Sequence, residues 1–98
     1  MKYEANLTVN ISRQGKRYVA YCPALDISTS GKTETEVRRR FDELVRLFVE
    51  EIEDAGTTAE VLTELGWKKE ASKGVRAAEW LPPMFKSEQV PFRIPVAA

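Results

Sequence analysis

The chain has no histidine and only one cysteine, Cys22, among its 98 residues. The absence of histidine removes the most common general base, the most common metal ligand and every nucleophile that a histidine activates. A single cysteine cannot form a disulfide within the chain, and it is typical of a protein in a reducing compartment. We therefore expect a cytoplasmic protein without histidine-dependent chemistry.

Long apolar runs are also missing. A membrane-spanning helix needs about 20 mostly apolar residues, whereas the apolar runs of this chain are only a few residues long. The stretch from Met1 to Glu4 lacks the apolar region of a secretion signal. The sequence therefore predicts one small domain with neither a membrane span nor a signal peptide.

The chain has no excess of charge of either sign, since 15 basic residues balance 15 acidic ones. The distribution is uneven, however. Four basic against two acidic residues give +2 over residues 1–31, five against eight give −3 over 32–56, and six against five give +1 over 57–98. Affinity for nucleic acid grows with the number of phosphates that a basic surface neutralises. No segment has such a surface, so direct DNA binding is not expected.

Three short strands are predicted in the first third of the chain. Residues 5–13 alternate between apolar and polar side chains, which indicates a half-buried antiparallel strand. Gly15 provides a tight reversal into a second strand over residues 17–22, which Pro23 ends because proline cannot donate to a sheet. Residues 27–30 can form a third strand. The second strand is apolar on both sides, with Tyr18, Ala20 and Cys22 on one face and Val19 and Tyr21 on the other.

A long amphipathic helix follows. Thr33 and Glu36 have the spacing of a capping box at its start, and Gly56 is the expected C-terminal glycine. Its apolar residues recur at steps of three and four and are Val37, Phe41, Leu44, Val45, Phe48, Ile52 and Ala55. Thr57 or Thr58 begins a second short helix, which Gly66 stops.

The pattern weakens after Trp67. The polar stretch up to Trp80, interrupted by Gly74, predicts a hairpin or an edge strand. Residues 90–96 alternate again, but two prolines restrict them to an edge strand at most. The sequence thus predicts an α+β fold: a three-stranded antiparallel sheet with one long helix packed on it, a short second helix and a C-terminal edge strand.

Residues 18–31 read YVAYCPALDISTSG and lead through KTETEV into the long helix. The order of features is thus a strand, a proline, a leucine with an acidic residue, a polar strand, a glycine, and a helix that opens on threonine and glutamate. The short helix and the Gly66-Trp67 pair continue the series. This order resembles the N-terminal domain of HicB-type antitoxins over residues 3–67.

The resemblance implies a fold and a function. It implies a partial, degraded ribonuclease-H-like domain over residues 1–67 and a C-terminal extension over residues 68–98. Such a protein binds and neutralises a HicA-type toxin, a small mRNA-cleaving ribonuclease, in a type II toxin-antitoxin system. Relatives often append a helix-turn-helix or ribbon-helix-helix module. The extension contains no complete module of this kind, so operator binding is not expected.

Two sets of residues are candidates for contact with partners. Acidic residues crowd the end of the long helix and complement a basic toxin surface; they are Glu50, Glu51, Glu53 and Asp54. The alternative is an ordinary solvated surface, in which case the strand around Tyr18 and Tyr21 is the next candidate. A homo-oligomer, a dimer or a tetramer, is expected from the apolar residues near the C-terminus, which are Val90, Phe92, Ile94 and Val96.

The sequence leaves two alternatives to this function. An orphan family member would be a structural or regulatory oligomer without a toxin. A nucleic-acid-binding module would use Tyr18 and Tyr21 for stacking, with Arg13, Lys16 and Arg17 as phosphate contacts. A nuclease would need several carboxylates around metal ions, whereas Asp26 stands alone in a loop. We therefore expect no enzyme, no metal site and no cofactor.

Overall fold

The computed structural model describes residues 6–71 and 78–96, which contain seven elements. They are β1 (Asn10–Gln14), β2 (Arg17–Cys22), β3 (Ile27–Gly31), α1 (Glu34–Asp54), α2 (Thr58–Glu64), β4 (Lys68–Ala71) and β5 (Ala78–Leu81). The first three strands form an antiparallel sheet in the order β1-β2-β3, and α1 packs on it. The predicted α+β class with a three-stranded sheet, a long helix and a short second helix is confirmed.

The first strand begins later than the alternating pattern predicts. Residues 6–9 precede it, and Asn10, its first residue, lies opposite Tyr21. Beyond Tyr21 the second strand has only Cys22 before Pro23, which has no N–H to offer a neighbour. The ladder therefore stops, although Leu7 and Val9 still pack against the core as the pattern predicts.

The capping box predicted at the N-terminus of α1 forms only in its threonine half. The Thr33 hydroxyl accepts a hydrogen bond from the Glu36 backbone N–H at 3.0 Å, which satisfies one of the unpaired donors of the first turn. The Glu36 carboxylate lies 2.9 Å from the guanidinium of Arg40, one turn further along. Local sequence is thus sufficient to fix where this helix begins.

Both helices end in the same hydrogen-bonded motif. After α1, the Thr57 N–H donates to the Ile52 carbonyl at 2.9 Å around Gly56, whose φ is 69°. After α2, the Trp67 N–H donates to the Leu62 carbonyl at 2.9 Å around Gly66, whose φ is 93°. This is the Schellman arrangement, in which glycine adopts the left-handed conformation at little cost.

The long helix is only partly buried, because it is longer than the sheet. Twenty-one residues of α1 span about 31 Å, at about 1.5 Å per residue, whereas six residues of β2 span about 20 Å. Val37 and Phe41 are buried over the sheet, but Phe48 is only half-buried and Ala55 is exposed. Ile52 in the last turn is buried again, so the predicted apolar stripe extends along the helix and is only weakened at Phe48, where α1 overhangs the sheet.

Gly31 brings β3 and α1 into very close contact. A Cβ atom at this position would lie 2.9 Å from the Val37 backbone nitrogen, closer than packed atoms tolerate. Because the obstacle is backbone, we expect Gly31→Ala to push α1 away from the sheet and to lower the free energy of unfolding by about 1–3 kcal/mol. Urea denaturation measures this change.

The control for this prediction is Ser28→Ala, in the same strand but exposed. It should change the free energy of unfolding by no more than about 0.5 kcal/mol. A Gly31→Ala protein as stable as the unchanged protein would show that the helix does not approach the strand so closely.

The chain beyond α2 forms a two-stranded antiparallel sheet, in which Lys68 lies opposite Leu81 and Ala71 opposite Ala78. The antiparallel pairing agrees with the hairpin alternative, while Gly74 lies outside the described residues. Residues 82–96 lie in no strand, so the C-terminal strand is β5 and not the alternating residues 90–96. Within the described ranges, no helix is long and apolar enough to cross a membrane.

Candidate protein-binding surface

An apolar groove lies where α1 overhangs the sheet. Its volume is about 200 Å³, and its walls come from the C-terminal half of α1, from α2, from the N-terminal stretch and from both tryptophans. We call this site the apolar groove. Its lining residues are Leu7, Leu25, Val45, Phe48, Val49, Ile52, Glu53, Thr58, Leu62, Trp67 and Trp80.

The two tryptophans in the groove walls are held by contacts with other parts of the chain. Trp67 is buried, and its indole N–H donates to the Ala24 carbonyl at 2.7 Å, which ties the groove to the turn after β2. Trp80 is also buried, and the Lys69 ammonium lies 5.8 Å from the centre of its ring. Glu53 is the one ionisable side chain among the lining residues. Walls of this composition suit the binding of an apolar group rather than acid-base chemistry.

The acidic helix end, formed by Glu50, Glu51, Glu53 and Asp54, lies beside the groove. All four residues are exposed, and the last turn of α1 contains no basic residue. Within the described residues none of the four forms an ion pair. Four negative charges at a helix C-terminus oppose the helix dipole, so they weaken the helix that carries them.

The basic residues at the start of α1 are arranged differently. The Arg39 guanidinium lies 3.4 Å from the Glu43 carboxylate, and Arg40 contacts both Glu36 and, at 3.2 Å, the Ser30 carbonyl. These ion pairs near the surface add little stability, but they partly neutralise the positive charge of Arg39 and Arg40. The acidic helix end is therefore a cluster of four like charges on α1 that no ion pair within the described residues neutralises.

Tyr18 and Tyr21 do not form one surface. The register places Tyr18 with Ala20 and Cys22 on the face that α1 covers, where Tyr18 is half-buried and 6.0 Å from the Arg13 guanidinium. Tyr21 projects from the opposite face and is exposed. A stacking platform made of both tyrosines is therefore excluded.

The exposed tyrosine is held by the loop that follows its strand. The Tyr21 hydroxyl donates to the Asp26 carboxylate at 3.0 Å, and Asp26 adopts a left-handed conformation with φ of 53°. This hydrogen bond to a carboxylate raises the pKa of Tyr21, because it favours the protonated phenol. Asp26 in the loop is thus the hydrogen-bond acceptor of a tyrosine in β2.

In the part of the chain that the structure describes, side chains that could bind a metal ion do not converge. Cys22 is fully buried among core residues. Within residues 6–71 and 78–96, no three metal-binding side chains come close enough to hold an ion. The residues near the C-terminus that were predicted to form an oligomer interface, Val90, Phe92, Ile94 and Val96, are all exposed.

Sequence reasoning located the acidic helix end but missed the groove. The groove depends on Leu7, Leu62 and Trp80, which are far apart in the chain and belong to separate predicted elements. The mismatch between the length of the helix and that of the strands is the one sequence signal that indicates an uncovered helix end.

The chain was compared with protein-family models, with curated proteins and with solved structures. None of the three comparisons gave a match.

Proposed function

We propose that this protein is an antitoxin-like binding protein that neutralises a HicA-type mRNA-cleaving toxin by direct contact and has no catalytic role of its own. The sequence resemblance over residues 3–67 supplies the class of partner. The observation that carries the proposal is the acidic helix end, which is exposed, unpaired within the described residues and adjacent to the apolar groove.

The electrostatics suit such a partner. A toxin that cleaves mRNA needs a basic face for the phosphates of its substrate, and four clustered carboxylates complement that face. Occupying the face is sufficient to exclude RNA, so neutralisation requires no reaction. The groove beside the carboxylates adds an apolar contact, which is the usual composition of an interface core with a charged rim.

The orphan alternative is favoured by a separate observation. The exposed apolar residues near the C-terminus would suit self-association whether or not a toxin exists. The nucleic-acid alternative is weaker, because its two tyrosines lie on opposite faces of β2. Co-expression separates the first two functions: the antitoxin should restore growth to cells that express the toxin of the adjacent gene, whereas an orphan protein should not bind that gene product.

Charge reversal tests the proposed toxin surface. Replacing Glu50, Glu51, Glu53 and Asp54 with lysine should slow association with the toxin by about 100-fold at low salt, because clustered charges mainly accelerate encounter. Dissociation should change less, and the defect should shrink as salt screens the charges. Stopped-flow or surface-based kinetics at several salt concentrations measure both rates.

The control reverses Glu60 and Glu64, two exposed acidic residues of α2. This change should leave the association rate much closer to that of the unchanged protein. Misfolding is not expected in the first variant, since lysine at the end of a helix interacts favourably with its dipole. An unaltered association rate at low salt would mean that the acidic helix end is an ordinary solvated surface.

A further inference from the structure

The C-terminal segment, residues 90–96, presents apolar side chains without cover. Val90, Phe92, Ile94 and Val96 are between 57% and 88% exposed. In an extended chain, successive side chains point to opposite sides, so these four share one side and Pro91, Arg93 and Pro95 the other. A contiguous apolar strip of this kind marks an interaction site.

Two prolines favour an extended form of this segment before any partner binds. Each proline fixes its own φ, and the residue before it is restricted to extended conformations. Val90 and Ile94 precede Pro91 and Pro95, so four of the seven residues are restricted. A segment restricted in this way loses less conformational entropy when it is bound.

The apolar groove has the size and the charge to receive this segment. An apolar cavity of about 150 Å³ is sufficient to hold a benzene ring. The groove of about 200 Å³ therefore accommodates the ring of Phe92, which is 82% exposed. The segment has a single charged residue, Arg93, which is opposite in sign to Glu53 and the rest of the acidic helix end.

The path of the chain leads the segment away from the groove of its own copy. After β5, residues 82–87 pass on the side of the N-terminal stretch that carries Asn6, Thr8 and Asn10. Leu7, on the other side of that stretch, lines the groove. The radius of gyration is 17.1 Å, against about 13 Å for a compact domain of this length. A second copy is therefore the occupant that the geometry favours.

We propose that residues 90–96 of one copy bind the apolar groove of a second copy, with Phe92 in the groove. Reciprocal exchange of the two segments gives a closed two-fold dimer, in which the same surfaces contact each other twice. The proposal goes beyond toxin binding and does not depend on it. Because Phe92 of the second copy would fill the groove, the exchanged segment and the toxin would compete for that apolar contact.

Three variants test the exchange. Phe92→Ala removes the ring that enters the groove, and Val49→Asp places a charge on its wall, at a half-exposed position that tolerates a polar residue. Each should raise the dimer dissociation constant by about 30-fold or more, the loss typical of a central interface residue. The control is Leu47→Asp on the same helix, 62% exposed and outside the groove lining, which should dimerise normally. Sedimentation over a range of concentrations measures all four proteins.

Mixing the variants distinguishes exchange from other modes of assembly. A copy with Phe92→Ala keeps an intact groove, and a copy with Val49→Asp keeps an intact segment. One productive contact remains in the mixed dimer and none in either parent dimer, so the equimolar mixture should associate more tightly than either variant alone. A mixture no tighter than its components would overturn the proposal.

Other results would also contradict the exchange of segments. A monomer at high micromolar concentration, or a dimer that withstands both Phe92→Ala and Val49→Asp, would show that the segment does not enter the groove of a second copy. If Val49→Asp fails to fold, a synthetic peptide of residues 89–96 tests the exchange by competing for the groove of the unchanged protein. The peptide should dissociate the dimer and its Phe92→Ala counterpart should not; a peptide without effect would contradict the exchange.

Discussion

Replacing Phe41 with alanine is expected to lower the free energy of unfolding by about 3–5 kcal/mol. Phe41 is only 4% exposed and lies in the core cluster between α1 and the sheet, so its removal leaves a cavity that neighbouring residues cannot fill. A domain of this size has about 5–15 kcal/mol of stability in total. The variant should therefore be close to unfolding at room temperature, which urea denaturation followed by circular dichroism measures.

Phe48→Ala is the matched control for this loss. The sequence pattern gives both phenylalanines the same role, but Phe48 is half-buried in the wall of the apolar groove, where part of its surface already meets solvent. Its removal should cost clearly less than the removal of Phe41. Equal losses of stability would mean that the groove is closed in solution. An unchanged midpoint of urea denaturation for Phe41→Ala would show that Phe41 does not belong to the core.

Replacing Trp67 with alanine is expected to cost a similar amount, about 3–5 kcal/mol. Trp67 connects three parts of the molecule, because it follows the end of α2, lines the groove and donates its indole N–H to the Ala24 carbonyl at 2.7 Å. Trp67→Phe keeps most of the ring and removes the donor. That variant should cost about 1–3 kcal/mol, the penalty for a buried carbonyl left without its partner.

The difference between the two substitutions separates packing from hydrogen bonding. Trp80→Phe is the control, since it removes the same atoms from an equally buried ring. It should destabilise less than Trp67→Phe when thermal unfolding of both is followed by calorimetry. If Trp67→Phe were harmless, the bond to Ala24 would contribute nothing to the stability of the turn.

The fold is predictable from sequence wherever local chemistry determines it. The Thr33 hydroxyl starts the long helix, Gly56 and Gly66 end the two helices, and Pro23 ends the second strand. Each of these signals acts over a few residues. The start of β1 was predicted wrongly. It depends on where the partner strand β2 ends before Pro23, and that position is distant from β1 in the sequence.

The candidate surface is likewise predictable from sequence only in part. The acidic helix end is visible in the sequence, because its four residues lie within five positions of one another. The groove beside it combines Leu7, Leu62 and Trp80, whose proximity no periodicity predicts. The sequence predicts that the exposed residues near the C-terminus form an interface, but only the three-dimensional path of the chain distinguishes a groove on another copy from one on the same copy.

The position of the two tryptophans gives the protein an intrinsic optical reporter. The chain contains only Trp67 and Trp80, and both lie in the wall of the apolar groove. Indole emission depends on the polarity around the ring, and every emitting indole of this protein lies at the same site. A ligand that fills the groove should therefore shift the fluorescence of the unlabelled chain, whereas one that binds only the open face of the sheet near Tyr21 should leave the spectrum unchanged.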